Sequence, residues 1–208
     1  MIAEYAANLT FGYLLGSVPA GLVIGYLWLR KDIRTMGSGK TGTTNVLRTA
    51  GRVAALLTVL LDPLKGLAPA LVGRFVFDDQ GVAAAGAAAA IAGHVWPVFA
   101  GFRGGRGVAT AFGGALGLFP LWAPLFLLAA GVVLAVSRYV SLMSVLGMAI
   151  GGTSVVVLAI AGVEPWASAA FAIFAVALVE YMHIPNIRRL LAGTEPKIGR
   201  GGDRTASG

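Results

Sequence analysis

The sequence predicts an all-α integral membrane protein of seven transmembrane helices, with the N-terminus outside and the C-terminus cytoplasmic. Three observations predict it. Of 208 residues, 57% are hydrophobic and only 12% charged, where a soluble domain would carry about a quarter charged residues. Apolar stretches of bilayer length recur along the chain. The basic residues fall almost entirely on alternate connections, the signature of a cytoplasmic face. Thirty glycines suit helices that approach closely in lipid. Cysteine is absent, which rules out a disulfide framework and thiol chemistry. With only two histidines as well, no transition-metal site is expected. The net charge of +7 points, in a chain this apolar, to anionic lipid or an anionic substrate rather than to nucleic acid.

Met1–Asn8 is a short polar start without the basic residues of a signal peptide. Leu9–Leu29 reads as the first span, with Gly12, Gly16, Pro19, Gly21 and Gly25 marking tight packing. A basic loop, Arg30–Arg52, precedes the second span, Val53–Phe75. Asp62 and Lys65 interrupt that span on one helix face, where they can pair. Charges at such depth face the protein interior, and this pair is read as structural. Val76–Gln80 is an acidic turn, and Gly81–Ala100 is the third span. Phe102–Gly107 forms a second glycine–arginine loop. Val108–Val136 exceeds one ordinary helix and carries Pro120 and Pro124, so it is split in two around Phe119–Trp122. The polar Ser137–Ser141, the span Leu142–Gly162, the turn Val163–Pro165 and the last span Trp166–Met182 follow. From His183 the chain is polar and basic. Residues 1–199 are thus expected to form one transmembrane domain, and the Gly/Ser-rich 200–208 a disordered tail.

Charge supports the split. With seven spans, one face receives Arg30–Arg52, Arg103–Arg106, Ser137–Ser141 and the tail, which together hold every Lys and Arg except Lys65 and Arg74. Glu4, Asp78, Asp79 and Glu164 fall on the other face. A single span over Val108–Val136 would send Arg138 and the basic tail outside, against the positive-inside rule.

The polar segments therefore gather on the cytoplasmic side. GSGKTGTT in the first loop imitates a nucleotide-binding P-loop, yet Arg34 occupies the position where that motif needs its first Gly. Its glycines and bases still suit an anion, with Gly37, Gly39, Lys40, Thr44 and Asn45 as candidate contacts around Ser38. Phe102–Gly107 reads either as a phosphate-binding turn, with Gly104, Gly105 and Gly107 exposing N–H groups beside Arg106, or as an ordinary basic loop. His94 reads as a packing residue. His183 and Asn186 lie three apart, on one face if a helical turn persists across Pro185. These parts point to a membrane enzyme handling phosphorylated, partly apolar molecules, or to a membrane transporter of phosphate or phosphate esters.

Three separated signatures narrow the choice: Gly37–Asn45 with Arg48; Gly93-His94 leading to Phe102–Thr110; and His183 with Asn186-Ile187, followed by Gly193–Lys197. In that order they resemble the bacterial acyl-phosphate:glycerol-3-phosphate acyltransferase family. The resemblance implies transfer of a fatty acyl group from acyl phosphate to the 1-hydroxyl of glycerol 3-phosphate in phospholipid synthesis, with no cofactor or metal, since acyl phosphate is already activated. It implies seven helices in the bacterial inner membrane with a cytoplasmic site, among upstream and downstream enzymes of phospholipid synthesis. By the same resemblance Ser38, Arg48, His183 and Asn186 support catalysis. Gly104, Gly105, Arg106 and Gly107 correspond to a glycerol-phosphate loop, Ser141 to a further polar site residue, and Glu195 to a structural one. The chain departs from the family's usual Asn-Pro-Gly-Ala at Lys40-Thr41-Gly42-Thr43, and carries Arg103 and Arg106 in place of lysines.

Overall fold

The computed structural model describes residues 1–198, so the tail expected to be disordered lies outside the described residues. Eight α-helices account for most of the chain: α1 (Ile2–Gly16), α2 (Ala20–Leu29), α3 (Thr43–Phe75), α4 (Gln80–Val95), α5 (Val108–Leu118), α6 (Ala123–Ser137), α7 (Val140–Ile160) and α8 (Trp166–Leu191). Five helical segments are long and apolar enough to cross a membrane: α1 with α2, α3, α4 with the short turn after it, α7, and α8. Helices α5 and α6 are apolar but shorter.

Glycine sets the spacing of this bundle. A Cβ at Gly12 would overlap the carbonyl of Gly86, and one at Gly16 that of Ala90, so α1 lies directly on α4. Gly66 and Gly113 do the same between α3 and α5. In lipid, where water drives no association between helices, such contact supplies the packing energy. One apolar cluster joins α3, α4, α5, α7 and α8, and a second joins α2 to the start of α3 through the fully buried Ile33.

Three boundaries differ from expectation, each for a local reason. Instead of starting at Leu9, the first helix starts at Ile2, because the polar Asn8 is buried and donates to the carbonyls of Pro69 (3.0 Å) and Val82 (2.8 Å). It then breaks at Ser17–Pro19 before α2 resumes. The second helix starts at Thr43, not Val53, and bends where Gly51 adopts φ 86°, ψ −175°. That conformation lies outside what other residues readily adopt, so Thr44, Asn45 and Arg48 stand on a short helical limb above the kink. Finally, α8 runs past Met182 and through Pro185 to Leu191. Proline removes one helical hydrogen bond, and here the helix continues regardless.

Asp62 and Lys65 pair within α3 at 2.6 Å, and both are buried. His94 Nδ1 of α4 lies 3.7 Å from the same carboxylate, and Thr110 of α5 donates to the Asp62 carbonyl at 3.1 Å. The charges meet one another and polar neighbours rather than lipid, which answers the cost of burying them.

Candidate functional site

The first loop is built around Asn45. This side chain is 1% exposed; its amide nitrogen donates to the carbonyls of Ile33, Met36 and Lys40, and its oxygen accepts the Ser38 amide at 2.8 Å. Those bonds gather residues 33–40 over the first turn of α3 and place Asn45 inside the loop rather than on its surface. Gly37 (φ 57°) and Gly39 (φ 69°) take left-handed conformations on either side of Ser38, which is left exposed at the tip. Thr44 is half-buried on the first turn of α3, and Arg48 projects, exposed, one turn further.

A clamp joins this loop to the second one. Asp32 accepts four bonds from the Arg34 guanidinium and backbone, and the remaining Arg34 nitrogen, Nη1, donates to the Ala100 carbonyl at 2.7 Å. Hydrogen bonding from Arg34 holds the Asp32 carboxyl below the usual range despite partial burial, with Arg103 contributing from the second loop. Burial pushes the Lys40 ammonium down, and the nearby charges of Arg106 and Arg103 push it further. Nothing in the sequence motifs advertised the Asp32–Arg34 clamp, because its acceptor is a backbone carbonyl 66 residues away.

The second loop lies flat on the end of α4. Gly104 N donates to the Val95 carbonyl (3.2 Å) and Gly105 N to that of His94 (3.1 Å). A Cβ on Gly105 would overlap the His94 ring, and one on Gly104 the His94 carbonyl. The expectation that Gly104 and Gly105 offer their N–H groups to phosphate is therefore corrected: those amides are spent on α4, and the glycines serve close packing. The open amides belong to the next segment. Gly107, at φ 83°, caps α5, and among the described residues Val108, Ala109 and Thr110 take no acceptor for their N–H groups. A helix start leaves such donors free and favours an anion. Arg106 stands beside it, with its Nε buried and without a partner among the described residues. Burial depresses the Arg106 guanidinium, Glu195 opposes that, and Arg189 and Arg48 reinforce it. Charges from all three signatures thus lie within reach of one another.

The third segment comes from α8. His183 is 2% exposed and its Nδ1 meets the Val179 carbonyl at 2.8 Å. A carbonyl only accepts, so Nδ1 carries the proton and, in the neutral ring, Nε2 keeps its lone pair. Asn186 donates to Glu195 Oε1 at 2.7 Å and leaves its own oxygen buried and unpartnered. Arg189 Nε donates to Glu195 Oε2 at 2.7 Å. Burial raises the Glu195 carboxyl, but hydrogen bonding from Asn186, Ser141 and Arg189 outweighs it and holds the group below its usual range. Gly193, at φ 68°, turns the chain so that Glu195 can reach back. The segment beyond it then ties to the α6–α7 connection. Ile198 N donates to the Arg138 carbonyl (2.9 Å), and the Lys197 ammonium lies 5.0 Å from the Tyr139 ring. Ser141, two residues on, is buried with its hydroxyl toward the Glu195 carboxylate.

Below this polar cluster an apolar cleft opens between α5, α6, α7 and α8. It starts at Val108, the residue after Gly107, and at Ser144, one turn from Ser141, and it ends against Phe119 and Phe171.

The glycerol-3-phosphate acyltransferase family model matches residues 6–193. A glycerol-3-phosphate acyltransferase of Rubrobacter xylanophilus is 42% identical over 90% of this chain and 92% of that protein. Glycerol-3-phosphate acyltransferase 3 of Dehalococcoides mccartyi is 40% identical over 95% of this chain and 97% of its own length. Two crystal structures of PlsY, an integral membrane glycerol 3-phosphate acyltransferase, are similar at 38% identity. Its glycerol 3-phosphate form superposes with TM-score 0.86, covering 94% of this chain and 96% of that one. Its lysophosphatidic acid form gives 0.84, covering 94% and 95%.

Proposed function

This chain belongs to the glycerol-3-phosphate acyltransferase family, and from that premise we propose that it acylates the 1-hydroxyl of glycerol 3-phosphate using fatty acyl phosphate. The products are lysophosphatidic acid and inorganic phosphate. One observation carries the reading: Arg106 lies within the electrostatic reach of Arg48, His183 and Glu195, drawn from separated segments, while Val108 and Ser144, close in sequence to Arg106 and Ser141, line an apolar cleft. Phosphate chemistry above and hydrocarbon below is what two phosphorylated substrates, one with a fatty chain, require. A transporter of phosphate esters is not favoured, since the relatives are acyltransferases.

The residues divide the work by position. The start of α5 and Arg106 hold the glycerol phosphate, where helix amides and a guanidinium meet the anion together. Arg48 and the Ser38 tip steady the acyl phosphate and the charge that develops on its carbonyl oxygen. His183 Nε2 accepts the hydrogen bond of the attacking hydroxyl and orients it. The new C–O bond forms as the bond from the acyl carbon to the phosphate oxygen breaks, and the hydroxyl proton leaves with the phosphate. Asn45 and Glu195 hold the loop and the α8 end in place, while Gly37, Gly39, Lys40 and Thr44 shape the acyl-phosphate side. No residue of the chain needs to become a covalent intermediate.

Seven spans complete the proposal, with α1 and α2 as one, the short α5 and α6 as two, and the basic loops on the cytoplasmic side of a bacterial inner membrane. A pair of substitutions tests the division of labour. Arg106→Ala should raise KM for glycerol 3-phosphate about 10–100-fold, the worth of a charge-assisted bond of about 1.5–3 kcal/mol. Arg48→Ala should act mainly on kcat and on the acyl-phosphate side. The reverse pattern would mean that the two phosphate seats are exchanged.

A further inference from the structure

We propose that the cleft beneath the site measures the acyl chain, and that Phe119 and Phe171 form the stop that sets its preferred length; this rests on the acyl-transfer reading above. The cleft begins at Val108, next to the Gly107 cap of α5, so a chain leaving a carbonyl held at the polar cluster enters it directly. Gly107 itself packs toward Val179, whose carbonyl holds His183, which places the entrance under the proposed reacting groups.

Along α7 the lining runs from Met143 to Val155. At 1.5 Å per residue that is roughly 18 Å, a little more than the ~15 Å of one leaflet of a hydrocarbon core about 30 Å thick. The length is that of a membrane fatty chain.

The glycines of α7 let its backbone close on α6: a Cβ at Gly147 would press on Ala130, and one at Gly151 on Phe126. The far end is different. Phe119 and Phe171 are buried, with ring centroids 6.3 Å apart and planes inclined at 60°. Val155 is buried beside them. An aromatic pair in this tilted arrangement resists displacement, so a chain that reaches it must stop or fold back.

Purified protein assayed with saturated acyl phosphates of increasing length tests the stop. In the unaltered protein, kcat/KM should rise with each added methylene by about fourfold, which corresponds to ~0.8 kcal/mol of apolar burial. It should then level off or fall at the length that reaches Phe119. In Phe119→Leu and in Phe171→Leu the break should move to longer chains. A rise without any break in the unaltered protein, or an unmoved break in either folded variant, would overturn the stop. Absence of acyl transfer at every length would instead overturn the acyl-transfer reading itself.

Discussion

Ser38 and Asn45 sit in one loop and do different things. Ser38 is exposed at the tip between two left-handed glycines, and Asn45 is buried beneath it with every polar atom engaged. Ser38→Ala should lower kcat by about 10²-fold, the scale of losing one positioned donor to a developing oxyanion, with thermal stability unchanged. Asn45→Ala should cost about 2–3 kcal/mol of stability by orphaning buried backbone groups, and its loss of activity should track unfolding. A thermal melt beside each rate measurement separates the two. Glu195 gives a pH test. Its carboxyl is held below the ordinary carboxylate value, so its stabilising contribution is complete above that value. The contribution disappears as pH falls through the lowered one. Acid should therefore release the segment after Gly193 from α8, and Glu195→Gln should remove that acid-dependent step, as read by proteolysis near Ile198. Ser38, Arg48, His183 and Asn186 could be nominated from their motifs. The distinction between a surface serine and a buried asparagine could not, because it depends on contacts that spacing does not encode.

At the scale of elements, hydropathy located the apolar helices but not their joints. Ser17–Pro19 and Gly51 fall inside or beside stretches that read as continuous, and both break the backbone where polar residues need a particular aim. Conversely, a helical turn across Pro185 was only conditional in the sequence, yet α8 carries through it and so places His183 and Asn186 on one buried face. The glycine loop is the clearest case. Its composition suggested amides turned to phosphate, whereas Gly104 and Gly105 spend theirs on the carbonyls of α4 and press against His94. Gly105→Ala should therefore destabilise the protein by about 1–3 kcal/mol through overpacking. It should also weaken glycerol 3-phosphate binding, because the start of α5 shifts with the loop. His94→Gly in the Gly105→Ala background relieves the ring overlap; recovery of stability there would identify packing as the cause. If Gly105→Ala instead leaves stability intact while abolishing binding, the amide itself faces the ligand.

At the scale of the whole molecule, apolarity was informative because the bilayer imposes it on every span, and five helical segments are long and apolar enough to cross a membrane. Basic residues collect at one end of the bundle, together with the three signatures that the helices bring into a common cluster. A cysteine introduced at Lys40 should react with a membrane-impermeant reagent only after the membrane is opened; labelling in intact cells would invert the proposed orientation. The cleft lined by α5 to α8 was not visible in the sequence, since α5 and α6 looked only like fragments of one overlong span. It lies directly below the polar cluster, and that arrangement is the basis for acyl transfer. The most direct measurement mixes the purified full chain with a fatty acyl phosphate and glycerol 3-phosphate, with a metal chelator and without ATP, and follows both products. The account predicts lysophosphatidic acid and inorganic phosphate in equal amounts. Folded protein that forms neither, or that consumes acyl phosphate without acylating glycerol 3-phosphate, would contradict it.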